Sequence, residues 1–374
     1  MVVLTITVLT STGCIGRPPA LDAAALRARA DAEETALARR VAVHRDPGPP
    51  VYLSAIAARL VTSAEAASVT VVEDPTLAAF AMPSGRVYIH TGLLSRLDNE
   101  DELAVVLALE LARDPKGQTL RAGPAMKGSL PQGDLSPTAA AILGLDLRIA
   151  AAAAITGYGA DRERQAEREA LRRLVAAGYD GERALMLFQR LGARADAGGP
   201  LEVFLYGDRR RMDERYQAMR SLLAASGTPS TSPSGDGSGF GARMRSVVRD
   251  NAALDMRAGR FDLAQTDLAR VLAQAPRDAI AHLLNAEIAR LRSQRVAGLA
   301  RAGYVRDALA GYQRALELDP SYVEPLRQQA LLYYQERDTA NARAAFERYL
   351  AVAPAAADAA RLREYLAVVG EVKP

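Results

Sequence analysis

The carboxylate of Glu110 is the group in this chain best suited to acid–base or metal chemistry. It lies in a segment, 99–115, that is predicted to form one helix, and it shares a helical face with Leu103, Val106 and Leu107. That spacing predicts that Glu110 faces the protein interior. An unpartnered buried carboxylate is costly, so we expect a cation or a hydrogen-bond donor beside it.

Few other residues could supply a nucleophile or a metal ligand. Cys14 is the only cysteine, which excludes a disulfide framework and a cysteine-based metal site. The three histidines, His44, His90 and His282, fall in separate segments, and no G-x-S-x-G motif is present. We interpret His90, at the end of a predicted strand, as a hydrogen-bonded structural imidazole rather than a metal ligand.

Charge and hydropathy argue against two classes of protein. The formal net charge of +3 is small for 374 residues, and acidic and basic residues are interleaved. Because no basic stripe carries aromatic residues, we expect no nucleic-acid binding. No segment approaches the ~20 uninterrupted apolar residues that cross a bilayer, so we expect no membrane-spanning helix.

The first 14 residues predict a different kind of membrane attachment. An apolar run from Val2 to Thr10 is followed by Ser11-Thr12-Gly13-Cys14. This pattern resembles a bacterial lipoprotein signal, which ends at a lipidated cysteine. We therefore predict lipidation of Cys14 and a position on the periplasmic side of the bacterial envelope. The alternative is an uncleaved hydrophobic tail on a cytoplasmic protein.

The elements that must position Glu110 belong to a domain of helices and short strands. A helix is predicted at Tyr52–Leu60, a strand at Ser68–Val72 and a hairpin around Pro83-Ser84-Gly85. A capping-box pattern, Asn99 with Glu102, begins the helix of Glu110. We divide the chain into a signal over 1–14, a leader helix and linker over 15–50, this domain over 51–222, a Gly/Ser/Pro linker over 223–243, helical repeats over 244–354, and a capping helix and tail over 355–374.

Beyond the linker the sequence repeats. A pattern of a small residue, a large apolar residue and a closing proline ends at Pro276, Pro320 and Pro354. The last two prolines are 34 residues apart, which is the tetratricopeptide period, and the first two are 44 apart. We interpret the ten extra residues, around 293–302, as a lengthened hairpin in the middle repeat. Residues 355–369 are predicted to form the capping helix that such an array needs.

A family resemblance covers roughly 50–220. Residues 79–94, AFAMPSGRVYIHTGLL, and residues 102–107, ELAVVL, resemble the zinc metallopeptidases of family M48, the relatives of the prenyl-protein CAAX peptidase. Some periplasmic members carry tetratricopeptide tails, as this chain does. The resemblance implies an α+β fold: a mainly helical zincin-like domain with a small β-sheet, followed by an all-α repeat solenoid.

The same resemblance implies a zinc site and shows what has changed in it. In the family a helix carries H-E-x-x-H, in which two histidines hold zinc and the glutamate is the general base. Here Glu110 keeps the general-base position, whereas Leu109 and Arg113 replace the two histidines. The family's third ligand, the first glutamate of E-x-E-A-D, corresponds to Glu167, and Leu171 replaces the aspartate that would steady a ligating histidine. With one carboxylate ligand left, we expect no cofactor and a Glu110 that is only a residual base.

Two accounts of the altered site stay open at this point. In the first, Arg113 enters the vacated metal position and pairs with Glu167, Glu110 or both, so that a guanidinium replaces the charge of zinc. In the second, Glu110 is a relic at a solvent-filled cleft. Neither account requires a catalytic function.

The resemblance and the repeats together favour a catalytically inactive, lipid-anchored scaffold or adaptor in envelope assembly or quality control. It would bind protein or peptide clients through its repeats and its cleft, with the linker letting both regions engage one client. The alternative is a zinc-dependent metalloendopeptidase that works with a non-standard site built on Glu110 and Glu167. A third interpretation makes the first domain a structural spacer and leaves all function to the repeats.

Overall fold

The computed structural model describes residues 23–61, 67–82, 84–113, 160–194, 209–225 and 238–371. The predicted signal with Cys14 and the centre of the predicted linker lie outside these residues. No helix within the described ranges is long and apolar enough to cross a membrane. The elements in chain order are α1 (Ala23–Ala38), α2 (Gly48–Arg59), β1 (Ser68–Val72), β2 (Ala79–Ala81), β3 (Arg86–His90), α3 (Thr91–Leu94), α4 (Glu100–Arg113), α5 (Ala160–Ala176), α6 (Gly181–Arg194), α7 (Arg209–Ala225), α8 (Ser238–Arg257), α9 (Phe261–Gln274), α10 (Ala279–Ser293), α11 (Gly298–Leu318), α12 (Val323–Gln335), α13 (Thr339–Val352) and α14 (Ala359–Glu371).

A small three-stranded sheet with the order β1-β3-β2 lies at the start of the chain's main body. Strand β3 pairs with β1 in parallel and with β2 in antiparallel register. The predicted hairpin is confirmed: Gly85 adopts a positive φ of 85°, and the Met82 amide donates to the Arg86 carbonyl at 2.8 Å. Val87 and Ile89 of β3 are fully buried, so the sheet forms one wall of the core.

The leader segment packs against this sheet. The His44 amide donates to the Val71 carbonyl at 3.0 Å, and Leu37 of α1 is fully buried. Helix α2 begins at Gly48, inside the stretch predicted as leader and linker, because two prolines suit the first helical turn, where no backbone donor is needed. Residues 41–50 therefore belong to the folded domain.

Helix α4 begins as the capping-box pattern predicts. The Asn99 side chain accepts a hydrogen bond from the Glu102 amide at 3.0 Å, and the Glu102 carboxylate accepts from the Asp98 amide at 2.8 Å. The first bond satisfies an amide that the first helical turn leaves without a helical partner, and the second ties the residue before the cap to that turn. The return bond reaches Asp98 rather than Asn99. Helix α4 then runs through the core and packs on α5 and α6.

The repeats form three helical hairpins and a cap. The pairs are α8 with α9, α10 with α11, and α12 with α13, and α14 is the predicted capping helix. The hairpin of the middle repeat is lengthened, as predicted around 293–302. Only residues 294–297 separate α10 from α11, so the extra residues extend helix α11 rather than the turn, since its first turns contain the strong helix formers alanine, leucine and arginine.

The linker predicted over 223–243 is too long at both ends. Helix α7 runs to Ala225, and α8 already begins at Ser238. The helix extends back through Gly239 and Gly241 because Phe240 and Met244 are buried in the core. Burial of these side chains outweighs the poor helix propensity of glycine.

One hydrophobic core joins the first domain to the first repeat. Leu103 of α4 and Val247 of α8 belong to the same cluster, together with Leu268 of α9. The third repeat and the cap have a separate cluster built around Phe346 and Leu362. The main change in packing therefore falls inside the repeat array and not at the Gly/Ser/Pro segment.

Candidate functional site

Helix α4 carries the glutamate that the sequence singled out. Glu110 is 6% exposed and Leu109 3% exposed, so both face the interior, as the helical stripe predicts. The backbone of Arg113 ends the described helix, and its side chain lies outside the described residues. Pairing of Arg113 with Glu110 or Glu167 therefore stays a prediction.

Helix α5, which packs on α4, supplies the second carboxylate. Glu167 is 6% exposed, and Leu171, one turn later on the same helix, is also buried. The Arg215 side chain of α7 reaches across, and its Nε donates to a Glu167 carboxylate oxygen at 2.9 Å. The guanidinium of Arg215 also lies 5.1 Å from the ring centre of Phe188 on α6. Three helices therefore hold Glu167 against a fixed positive charge.

The role of Arg215 was not predicted. Arg215 and Glu167 are 48 residues apart and lie on different helices, so no local spacing connects them. Packing of α7 on α5 is what creates the pair.

The three histidines do not assemble into a metal centre. His44 Nε2 lies 3.0 Å from an Asp250 carboxylate oxygen, and His282 Nε2 lies 3.1 Å from the Pro276 carbonyl. Within the described ranges, no three His, Cys, Asp or Glu side chains are grouped to hold a metal ion.

His90 is a buried structural imidazole, as predicted. Its Nδ1 lies 2.8 Å from the Thr76 hydroxyl and 3.5 Å from an Asp74 carboxylate oxygen. Burial opposes ionisation of Asp74, yet hydrogen bonds from His90 and Thr76 outweigh it and hold the pKa of that carboxyl below its usual value. The cluster ties the loop after β1 to the end of β3.

Two family models match this chain. The one for Peptidase family M48 matches residues 51–235, which span α4, α5 and α7. The one for a tetratricopeptide repeat matches residues 297–367. Among solved structures, a human IFIT1 dimer with PPP-AAAA is similar over 86% of this chain and 78% of that chain, at 14% sequence identity and a TM-score of 0.29. That likeness is too slight to support an argument about fold or function.

Proposed function

Because this chain belongs to peptidase family M48 through residues 51–235 and carries a tetratricopeptide repeat over 297–367, we propose that it is a peptidase-like scaffold that no longer hydrolyses peptides. Its clients would be proteins or peptides of the bacterial envelope. The observation that carries the proposal is the chemistry of the residues at the former zinc positions.

Those residues do not fit zinc. Structural and catalytic zinc sites use three or four nitrogen, sulfur or oxygen ligands. Leu109 offers no ligand atom, and an arginine at 113 is a permanent cation. The remaining ligand position, Glu167, already binds the guanidinium of Arg215. A zinc ion at Glu167 would have to displace that cation and would be repelled by it.

The repeats supply the binding function. Stacked helical hairpins of this kind form extended concave surfaces that bind other proteins. Here three hairpins and a cap are present. The last two hairpins and the cap have two further clusters, although Ala281 and Ile288 of the second hairpin also belong to the main core. This supports a client surface on the part of the array that the first domain leaves uncovered.

The anchor and the location rest on the sequence. A lipidated Cys14 after the apolar run would tether the protein to a membrane on the periplasmic side of the envelope. Mass spectrometry of the mature N-terminus tests this part. We expect a diacylated or triacylated Cys14 as the first residue, and an unmodified chain that begins at Met1 contradicts it.

Metal analysis of the purified full-length protein, with a casein-cleavage assay in the presence and absence of zinc, tests the loss of catalysis. We expect well below about one zinc per chain and no cleavage, since a single carboxylate cannot supply a zinc site. A variant that restores both imidazoles, Leu109→His/Arg113→His, serves as the positive control for zinc uptake. About one zinc per wild-type chain, together with cleavage that Glu110→Gln abolishes, would overturn the proposal.

A second candidate function is a metalloendopeptidase that uses carboxylates alone. The observation in its favour is that Glu110 and Glu167 are both kept, and both are buried on helices that pack together. If the protein is a metalloendopeptidase, Glu167→Gln should abolish both metal binding and peptide cleavage. If it is a scaffold, the wild type has no metal binding or cleavage to lose, so the variant and the wild type should behave alike in both assays.

Affinity capture tests the scaffold function directly. The bait is the full chain, compared with a chain that ends at Pro320 and so lacks the separate core of the third repeat and cap. We expect the same envelope proteins with wild type and Glu110→Gln, and their loss from the shortened chain. Capture that depends on Glu110 and not on residues 321–374 contradicts a scaffold that works through its repeats.

A further inference from the structure

A buried cluster of charges joins the first domain to the first repeat. Arg96, in the turn before α4, is 7% exposed. Its guanidinium donates to Asp267 of α9 at 2.6 Å and lies 3.5 Å from Asp255 of α8. Both aspartates are fully buried. Three charges have thus been removed from water at the contact between two regions, which is costly unless each is well paired.

The other polar groups of the cluster complete this pairing. The Asn251 amide donates to Asp255 at 3.1 Å, to Asp267 at 3.2 Å and to the Ser95 hydroxyl at 3.1 Å. Arg260 forms an ion pair with Asp255 at 2.6 Å. Burial raises the pKa of Asp255 above its usual value, against the opposing effect of Arg260 and Arg96. Ionisation of Asp255 therefore depends on these two cations.

The acidic pair is specific to the first repeat. When the repeats are aligned on their shared alanines, Ala264, Ala308 and Ala342, the positions that match Asp267 hold Gly311 and Ala345. The position of Asp255 holds Tyr333 in the third repeat. At Gly311 a side chain would come within 2.8 Å of Ala286, so that hairpin uses its small residue for close helix packing. The first repeat uses the same place for a carboxylate that receives Arg96.

A second arginine connects the repeat to the start of the candidate-site helix. Arg270 of α9 donates to the backbone carbonyls of Ser95 and Leu97 and to the Asp98 carboxylate. The Asp98 amide in turn donates to Glu102 in the first turn of α4. Segment 95–98 is therefore held by the repeat on one side and caps the helix of Glu110 on the other.

We propose that the first repeat is an internal docking module for the first domain. Asp255 and Asp267 bind Arg96, and Arg270 binds segment 95–98. Through these contacts the repeat array sets the position of helix α4. Arg96 and Arg270 are then positioning residues for the candidate site. A client that strains or stiffens the repeats would change the stability of the first turn of α4. This coupling does not depend on whether the site has lost zinc. The first domain and the repeats are therefore joined by a rigid contact, where the sequence predicted only a flexible linker between them.

Hydrogen exchange measured by mass spectrometry on the full chain tests the coupling. Asp267→Asn removes the negative charge that pairs with Arg96 while preserving side-chain size, and Arg270→Gln removes the guanidinium that contacts segment 95–98. We expect amide exchange over residues 99–106 to be at least about tenfold faster in each variant. In the wild type, local unfolding of this segment must break its contacts with the first repeat, and each variant has fewer of these contacts to break. The matched control is Arg327→Gln, which removes the ion pair between Arg327 and Asp358 in the distal repeat and cap. Exchange over 99–106 should keep the wild-type rate in this control.

The proposal fails if both variants accelerate exchange within α9 but leave residues 99–106 at the wild-type rate. It also fails if Arg327→Gln accelerates those residues as much as Arg270→Gln does. Arg270 is 34% exposed, so the Arg270→Gln protein is expected to fold. It keeps the test decisive if the Asp267→Asn protein does not fold.

Discussion

The first and third repeats share one plan and differ in the chemistry of their cores. Each is a helical hairpin closed by a proline, with a buried alanine near the start of its second helix, Ala264 or Ala342. The first hairpin encloses two carboxylates and one side-chain amide and shares its core with the peptidase-like domain. The third packs Phe346 against two tyrosines and shares its core with its own cap and with Leu316 of the second hairpin, but not with the peptidase-like domain.

This difference teaches that a repeat's fold does not fix its role. A hairpin with an apolar core can stack on the next hairpin and leave its outer face for a client. A hairpin with buried acids needs cations. Here Arg260 comes from the turn of the hairpin itself, and the other cation, Arg96, comes from the domain beside it. The boundary between the part that packs with the peptidase-like domain and the part with its own core thus falls between hairpins of one array.

The largest effect is expected from removing that cation. Arg96→Met leaves Asp255 and Asp267 buried with one guanidinium fewer, so the free energy of unfolding should fall by about 3–5 kcal/mol. Urea denaturation measures the change. Arg96→Met/Asp267→Ala should recover most of the loss, since it removes one of the uncompensated charges. A loss below about 1 kcal/mol in the single variant would mean that the cluster does not hold the regions together.

A cavity in the third repeat should be costly but local. Leu362 of the cap is fully buried, so Leu362→Ala should lower the stability of the distal repeats by about 2–5 kcal/mol. Because this cluster is separate from the main core, we expect an early unfolding transition for the distal repeats while the main transition keeps its midpoint. A uniform shift of a single transition would contradict the division between the main core and the cluster of the third repeat and cap.

Local features of the fold were predictable from sequence, and distant pairs were not. The turn at Gly85 and the cap at Asn99 depend on residues within a few positions of each other, and both predictions are confirmed. Arg96 and Asp267 are 171 residues apart, and no periodic pattern links them. The carboxylate position Glu167 came from the family resemblance, whereas its pairing with Arg215 came only from the packing of two helices.

A smaller loss is expected when the candidate site loses its fixed cation. Arg215→Ala leaves the buried Glu167 without this partner, which should cost about 1–3 kcal/mol in urea denaturation. The control is Arg172→Ala, which removes an exposed pair with Glu169 one turn away and should change stability by less than about 0.5 kcal/mol. Equal effects in the two variants would contradict a special role for Arg215.

The smallest effect concerns the contact between the leader and the first repeat. Burial lowers the pKa of His44, but its hydrogen bond and charge interaction with Asp250 outweigh this and raise the pKa above its usual value. The stabilisation is therefore complete below the unfolded-state pKa of about 6.5 and is lost as pH rises through the higher folded-state value. It should stay small because Asp250 is 42% exposed.

Thermal unfolding across this pH range tests the His44 contact. His44→Gln should remove the decline in stability above about pH 6.5, whereas His282→Gln, at a partly exposed histidine in the second repeat, should keep it. A decline that persists in His44→Gln would assign the pH dependence to another group.

The most direct test of the account is a crystal structure of the full chain grown with zinc, with data collected at the zinc absorption edge. We expect no anomalous peak beside Glu110 and Glu167, and Arg215 still within hydrogen-bond distance of Glu167. An anomalous peak of full occupancy between the two glutamates, with Arg215 displaced, would contradict the loss of the metal site.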